Sequence, residues 1–449
     1  MNKILCLPIE LYKRELDTRL YLAVEAAKQG YEVLLGNWYD PVFKKVRDSV
    51  FFLSPGAGDT AYDLVKTFKA NGNTIVFHDE EGLIRQSDEL YLTKRIGRTA
   101  GELGDYHLAW NTDQAALLEK RGCRNVLVAG STKFDLMRHA ANLPQPDANQ
   151  ININTRFGTV NPLGGISTEE LFRQQKASGA FDDDLMREQK AFVEKDRQTH
   201  AEFCKLIERL GAANHHQVTI RVHPSEDRGA YEVFADRFVN VTVEENLSLV
   251  ESLARSKVMV HDGCTTALEA KCMGKRVVAL RPPSVGDYYP TVANDISDRV
   301  FGSGDELAGW LNDENFQDLP TSVPEYILGV PVAASQNGFS TALLQIAERH
   351  NNATDFNTRL SASSRAWIIA KGWARTFKFR ARAGLASLRS AEHQQRFRAA
   401  TWLARKFPFL ISIPEIRRRL ALVATSLGHD PKDFEVGRVA TMVIVLRKA

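Results

Sequence analysis

The stretch from Val218 to Pro283 constrains the fold of this chain more than any other. VTIRV (Val218 to Val222) and VMVH (Val258 to His261) are short, continuous apolar runs rich in β-branched residues. That is the pattern of strands buried on both faces of a parallel sheet. Each run stops at a polar residue, and in an open parallel sheet the strand ends line the ligand crevice. After the second run Asp262, Gly263 and Cys264 turn the chain, and Thr265 and Thr266 open a helix predicted to close at Gly274. The free N–H groups of a helix start, with two hydroxyls beside them, suit an anion. His223, followed by Pro224 at the neighbouring strand end, is placed to hydrogen-bond or protonate a leaving phosphate oxygen. The plainer reading is a capping box, in which Thr266 and Glu269 satisfy the helix's own N–H groups. Taken singly, each piece is more often structural. Their order points to a nucleotide-sugar site: His223-Pro224, then Gly263, Thr265 and Thr266, then Glu269 one turn into a helix that ends before a further apolar strand.

A chain of 449 residues exceeds one ordinary core and implies two α/β domains plus an appendage. With 44% hydrophobic and 25% charged residues it has the composition of a soluble globular protein. The opening MNKILCLPIELYKRE is too short in apolar residues for a secretory segment, and no run approaches a membrane span. The five cysteines (Cys6, Cys123, Cys204, Cys264 and Cys272) lack CxxC spacing, which fits a reduced cytoplasmic protein without a zinc cluster.

The first part alternates strand and helix signals. Strands are predicted at Lys3–Leu7, Glu32–Leu35, Ser49–Leu53, Thr74–His78, His107–Trp110 and Asn125–Val128. Helices are predicted at Leu11–Gln29, Ala61–Ala70 and Thr112–Arg121. A linker at Asn142–Gln150 leads to a second series: a strand at Gln150–Asn154, a long helix at Leu185–Leu210, the two runs above and Val277–Leu280. The resulting domains are 1–145 and 150–350, both doubly wound, with a helix near Phe339–Arg349 returning toward the first. Such elements alone also make dehydrogenases and binding proteins.

Several motifs narrow this. LPIELYKRELDTRLYLA (Leu7 to Ala23), DEEGL (Asp79 to Leu83), AGSTKFDL (Ala129 to Leu136), ININTRFGTVN (Ile151 to Asn161), RVHPSE (Arg221 to Glu226) and HDGCTTALEAKCMGKRVVALRP (His261 to Pro282) occur in that order. Over about residues 1–350 the chain resembles the bacterial surface carbohydrate biosynthesis proteins, GT-B enzymes of capsule and lipopolysaccharide assembly. The resemblance implies two Rossmann-like domains facing a cleft, an acceptor side in the first and a nucleotide-sugar donor side in the second. Within it, Glu80-Glu81-Gly82, His223-Pro224 and Thr265-Thr266 resemble the acidic, His-Pro and hydroxyl motifs of sialyl-, polysialyl- and Kdo transferases that use CMP-activated sugars. The resemblance makes Glu81, or Glu80, the general base. It assigns His223-Pro224, Thr265 and Thr266 to the CMP phosphate, and the strand-end reading adds Gly263 and Glu269 to donor binding. The hydroxyl motif here is Cys264-Thr265-Thr266 rather than a serine pair, a departure that bears on donor identity.

The chemistry is consistent with these roles. A sugar hydroxyl is a weak nucleophile, and a positioned carboxylate that takes its proton contributes about 10² to 10⁴-fold. A CMP leaving group carries one phosphate, which His223 and nearby donors can stabilise without a metal or other cofactor. The partners implied are a nucleotide sugar and a glycan or lipid-linked glycan acceptor. The enzymatic alternative is a UDP-sugar 2-epimerase of the same shape, because the donor-helix pattern also resembles that class. A non-catalytic membrane-docked scaffold is the other.

Other features read as structural. Gly56 to Thr60 lacks the third glycine of a dinucleotide fingerprint, and Asp182 to Asp184 suits the start of the long helix better than a metal. His215-His216 has no acidic or cysteine partner nearby, and Asp262, a conceivable nucleophile, reads as a turn residue. Glu10, Arg14, Glu15 and Arg19 follow the first strand, where they either orient an acceptor or close a salt bridge.

From Ser361 onward the chain carries 18 Lys and Arg against five Asp and Glu, although the whole protein is only +3. Residues 361–449 therefore read as a basic, amphipathic helical appendage. Ile369, Trp373, Phe377, Ala381, Leu385 and Leu388 share one helical face, with Lys371, Arg375, Lys378, Arg382 and Arg389 opposite. A second basic-aromatic stretch holds Arg396, Arg398, Trp402, Arg405, Lys406, Phe407 and Phe409. This composition fits peripheral attachment to the cytoplasmic face of the inner membrane and, lacking any recognised binding motif, not nucleic acid.

Overall fold

The computed structural model describes residues 3–55, 59–83, 88–143, 150–177, 183–244, 246–285, 292–321, 323–332, 338–350, 352, 356, 361–386 and 407–449. The chain forms two compact units, Met1–Ala140 with Leu328–Ala449, and Ala141–Ile327. Each is a doubly wound, Rossmann-like α/β domain.

In the first unit six strands run parallel: β1 (Ile4–Ile9), β2 (Glu32–Asn37), β3 (Val50–Leu53), β4 (Thr74–Phe77), β5 (Tyr106–Ala109) and β6 (Val126–Val128). β1 is apolar throughout and wholly buried, as a strand covered on both faces must be. The chain leaves β1 through the helix Tyr12–Lys28 to β2 on one side, then crosses back to β3 on the other. The sheet's winding therefore reverses between β1 and β3, beside which the chain leaving β1 begins at Glu10. A reversal of this kind opens a crevice at the C-terminal strand ends.

The second unit repeats the plan. Its strands β7 (Gln150–Asn154), β8 (Gln217–Arg221), β9 (Val241–Val243), β10 (Ser256–His261), β11 (Arg276–Leu280) and β12 (Arg299–Phe301) stand in the order β12-β11-β10-β7-β8-β9, all parallel. The helix Asp183–Ala213 lays Phe203, Leu206, Ile207 and Leu210 onto Ile151, Ile153, Val218, Ile220 and Val258 in one apolar core. Here the reversal falls between β7 and β10. Two two-residue strands, β13 (Tyr326–Ile327) and β14 (Val330–Pro331), flank the point where the chain returns to the first unit. The helix Phe339–His350 then belongs to that first unit, so the second domain ends before residue 350.

The C-terminal region corrects the sequence reading most. Residues 407–449 are not an appendage. Strands β15 (Phe434–Ala440) and β16 (Val443–Lys448) form an antiparallel hairpin whose second strand pairs with β2, making an eight-stranded sheet, β15-β16-β2-β1-β3-β4-β5-β6. Val443, Ile444, Val445 and Leu446 are fully buried. Gly36 of β2 has to be glycine, since a Cβ there would overlap the Met442 carbonyl and the Val443 backbone. The helix Ile413–Ser426 packs on Tyr12–Lys28, and its buried Arg419 donates to the Asp17 carboxylate at 2.6 Å. Arg438 is likewise buried and donates to the carbonyls of Ile411 and Thr441. Part of the basic excess is thus internal pairing rather than a solvated face. The helix Ala362–Ala386 does form. Gly56 to Gly58, most of the linker, Asp182, Leu388, Arg389, Arg396, Arg398, Trp402, Arg405 and Lys406 lie outside the described residues.

Burying one aliphatic side chain contributes about 1.5–3 kcal/mol, and β16 buries four, against a total stability of about 5–15 kcal/mol. Truncation after residue 360 should therefore abolish cooperative thermal unfolding followed by circular dichroism. Ile444→Ala alone should cost about 2–5 kcal/mol in urea titration. A truncated chain that melts cooperatively within a few degrees of the full protein would show the hairpin to be dispensable.

Candidate functional site

Two clusters of polar side chains sit at strand ends, one in each unit. In the second unit the cluster lies at the reversal between β7 and β10. Asn154 ends β7, is buried, and donates from Nδ2 to Thr266 Oγ1 at 2.6 Å, tying the end of β7 to the start of the helix Thr266–Cys272. Its Oδ1 is buried without a hydrogen-bond partner. Two residues on, Arg156 reaches across the same gap. Its Nε donates to the Asp262 carbonyl and its NH2 to Asp262 Oδ2, both at 2.6 Å, while NH1 reaches Asp196 at 3.0 Å. Asn294 donates to the other Asp262 oxygen at 3.0 Å. With both oxygens engaged and 2% exposure, Asp262 is held as a turn residue.

Gly263, at φ +60°, makes the turn and donates its N–H to Asn294 Oδ1 at 2.7 Å. Thr265 occupies the N-cap position without a side-chain cap bond, and Thr266 Oγ1 lies 2.9 Å from Cys264 Sγ as well as accepting from Asn154. The capping box therefore does not form, and the Thr266 hydroxyl is committed to Asn154. The helix has only seven residues and Glu269 is buried in its first turn. The N–H groups of Ala267 and Leu268 turn back onto the Cys264 and Thr265 carbonyls, and that of Cys264 faces His261 Nδ1 at 3.4 Å. The ring of free N–H donors expected here is thus largely used inside the protein.

His223 and Pro224 are exposed just past β8. The Ser225 N–H donates to His223 Nδ1 at 3.2 Å and the Ser225 hydroxyl lies 2.7 Å from the same nitrogen. An acceptor at Nδ1 assigns the ring proton of the neutral imidazole to Nε2. The loop is held by Glu226, which is 1% exposed and accepts from Thr155 Oγ1 and Tyr231 OH, both at 2.6 Å, and from the His223 N–H at 3.3 Å. Burial raises the Glu226 carboxyl above its ordinary range, against these hydrogen bonds.

In the first unit Glu80 and Glu81 follow β4 and have different surroundings. Glu80 is 3% exposed and pairs with fully buried Arg19 at 2.7 Å; its Oε2 has no hydrogen-bond partner. Arg19 also reaches the Pro8 carbonyl near the end of β1 and Ser54 after β3, so this pair bridges the reversal in the first sheet. Glu81 is about one-third exposed and lies between Arg14 and Arg95, the latter at 2.7 Å. Arg95 forks onto Asp79 as well, with contacts of 2.8 to 3.0 Å. Glu15 accepts from the Glu10 and Leu11 N–H groups and so fixes the start of its own helix. Glu80 and Glu81 therefore lie in the first unit, and the residues expected to hold the donor lie in the second, His223 and Pro224 after β8 and Gly263, Thr265, Thr266 and Glu269 after β10, with β7 between the two strands.

Sequence reasoning did not assign roles to Asn154, Arg156, Thr155, Glu226 or His261. Their partners lie up to 112 positions away, and only their presence in ININTRFGTVN, RVHPSE and the HDG turn marked them. His216 is an internal residue whose Nε2 faces the Leu311 carbonyl at 3.0 Å. Among the described residues no group of three or more His, Cys, Asp or Glu is placed to hold a metal ion.

No family model matches this chain. No curated protein matches it either. Among solved structures it is similar to a putative UDP-N-acetylglucosamine 2-epimerase from Listeria monocytogenes, with 12% identity and a TM-score of 0.45 over 80% of this chain and 100% of that one. It is similar to MnaA of S. aureus solved with UDP, with 14% identity and a TM-score of 0.43 over 80% and 100%. A further similarity is to the wall teichoic acid polymerase TagF, with 11% identity and a TM-score of 0.41 over 77% and 88%.

His261 is wholly buried at the end of β10, with Nε2 2.9 Å from Ser297 Oγ, and burial lowers its imidazole to about 4, although Asp262 pulls the other way. In an unfolded chain the same group titrates near about 6.5. The unfolded state therefore binds the proton first, and stability present above about pH 6.5 is lost as the pH falls toward 4. His261→Asn should flatten this part of the stability–pH curve measured by urea unfolding. Equal slopes in both proteins between pH 6.5 and 4 would remove His261 as the cause.

Proposed function

We propose that this chain is a glycosyltransferase of bacterial surface polysaccharide assembly, acting in the cytoplasm on a nucleotide sugar without a required metal. A CMP-linked acidic sugar is the favoured donor and a glycan or lipid-linked glycan the acceptor. One observation carries the reading most. The ends of the adjacent parallel strands β10 and β7 carry Thr265 and Thr266 and Asn154 at the point where the sheet's winding reverses, the usual ligand position of open α/β sheets, and His223 follows the next strand, β8. The GT-B arrangement and the acidic motif's role rest on the sequence resemblance.

In the proposed reaction the acceptor hydroxyl gives its proton to Glu81 as its oxygen bonds to the anomeric carbon. The bond from that carbon to the CMP phosphate breaks, and the electron pair leaves on the phosphate oxygen. His223, with its N–H on Nε2, donates a hydrogen bond to that oxygen, and the phosphate leaves as an anion. Since much of the turn after β10 is satisfied internally, phosphate recognition falls mainly to the His223 and Thr265 side chains. Glu81 has the access a base needs, about one-third exposure, whereas Glu80 is committed to Arg19. To take a proton, Glu81 must loosen its contacts with Arg14 and Arg95, and an approaching acceptor hydroxyl is the group that would compete for it.

A panel of CMP-, UDP- and GDP-sugars screened by thermal shift without divalent ions tests the donor. CMP at 100 times its dissociation constant should stabilise by about 2.7 kcal/mol. His223→Ala should lower transfer by about 10² to 10³-fold with an unchanged melting temperature, because the ring is exposed. Glu81→Gln should abolish turnover and keep donor stabilisation. UDP-sugar epimerised in the absence of acceptor would make the chain an epimerase, and no stabilisation by any nucleotide would leave a scaffold.

A further inference from the structure

We propose that the helix Ala362–Ala386 is a docking surface for an anionic lipid bilayer, built into the first unit and independent of which donor the second unit takes. Three rows of side chains spaced four residues apart run along this helix. Ile368, Gly372 and Thr376 are the only positions from 361 to 378 that are buried or half-buried, and they form the row packed on the body. A Cβ on Gly372 would press into the Leu410 side chain, so the glycine allows the helix its close approach. On one side of that row stand Ile369, Trp373 and Phe377, with Trp373 63% and Phe377 76% exposed. On the other stand Trp367, Lys371 and Arg375, with the Lys371 ammonium 4.8 Å from the Trp367 ring centre. Exposed Ala366, Ala370 and Ala374 fill the outward face between them.

A free surface of this kind is costly in water, because large aromatic side chains exposed in a row are normally covered. Its charge identifies the cover. Its described side chains include four Lys and Arg and no acidic residue, and the nearby Asp40 is itself buried. An apolar partner protein would gain nothing from these cations, whereas an anionic headgroup layer complements them while the rings enter the acyl boundary. No described helix is long and apolar enough to cross a membrane, so the contact is one of lying on the surface. The packed row fixes the helix axis against the sheet, which presents the aromatic and basic rows together rather than on a flexible tether.

Sedimentation of the full chain with phosphatidylglycerol vesicles tests this, with phosphatidylcholine vesicles as the comparison. Binding should be strong only with phosphatidylglycerol and should be lost at about 1 M salt, where the screening length falls to about 3 Å. Trp373→Ser with Phe377→Ser should weaken binding at least tenfold and leave the melting temperature unchanged, since both side chains are exposed. A separate Lys378→Glu variant should weaken it by about fivefold or more, the effect of one cation near such a surface. No binding at low salt, or equal binding by the double aromatic variant with its fold intact, would overturn the proposal. So would a dimer in analytical ultracentrifugation that the aromatic substitutions dissociate, because the face would then belong to a second copy.

Discussion

The ion pair between Arg156 and Asp262 ties the chain leaving β7 to the turn leaving β10, across the gap where the second sheet reverses. Both charges are removed from most of their water: the Asp262 side chain is 2% exposed and the Arg156 side chain 17%. Losing one partner of such a pair typically costs about 3–5 kcal/mol, because the other charge remains buried. That strong coupling holds Gly263 to Thr266 at a fixed distance from Asn154, and the Asn154–Thr266 hydrogen bond completes the bridge. The loop bearing His223 is fixed separately, by Glu226 with Thr155 and Tyr231. The exposed imidazole therefore rides on a buried carboxylate, an arrangement that keeps a polar group available without leaving its backbone loose.

The first unit solves the same problem with the same kind of group. Arg19 spans from the end of β1 to Ser54 and to Glu80, so the reversal there too is held by a buried guanidinium. Glu81, one residue on, faces two partly exposed arginines instead of a buried one. Adjacent carboxylates in one short motif thus have separate duties, Glu80 in the framework and Glu81 at the surface.

How much of this could be read from the residues depends on range. Strands buried on both faces announce themselves as continuous apolar runs, so Gln150–Asn154 coincides with β7 and the other predicted strands fall within a few residues of those observed. The polar residues at the second unit's strand ends are legible as an order of motifs, because strand ends in a parallel sheet are brought to one edge by the fold itself. Long-range pairing was not. Glu80 and Glu81 look equivalent in DEEGL, and only Arg19, 61 positions earlier, separates them. ALEA after two threonines has the spacing of a capping box, yet Asn154 outcompetes the helix for the Thr266 hydroxyl. The C-terminal hairpin was hidden by charge. FEVGRVA alternates and VIVL is continuous, both strand signals, but the surrounding arginines suggested a solvated tail until Arg419 and Arg438 proved to be buried.

The account stands on the second unit's strand ends being the nucleotide site. Hydrogen exchange of the full chain with and without saturating CMP measures this most directly. Protection should concentrate in residues 154–157, 223–226 and 262–269, with the far ends of the same strands unchanged. Protection confined to the first unit, or spread evenly over the chain with none at those three segments, would contradict it.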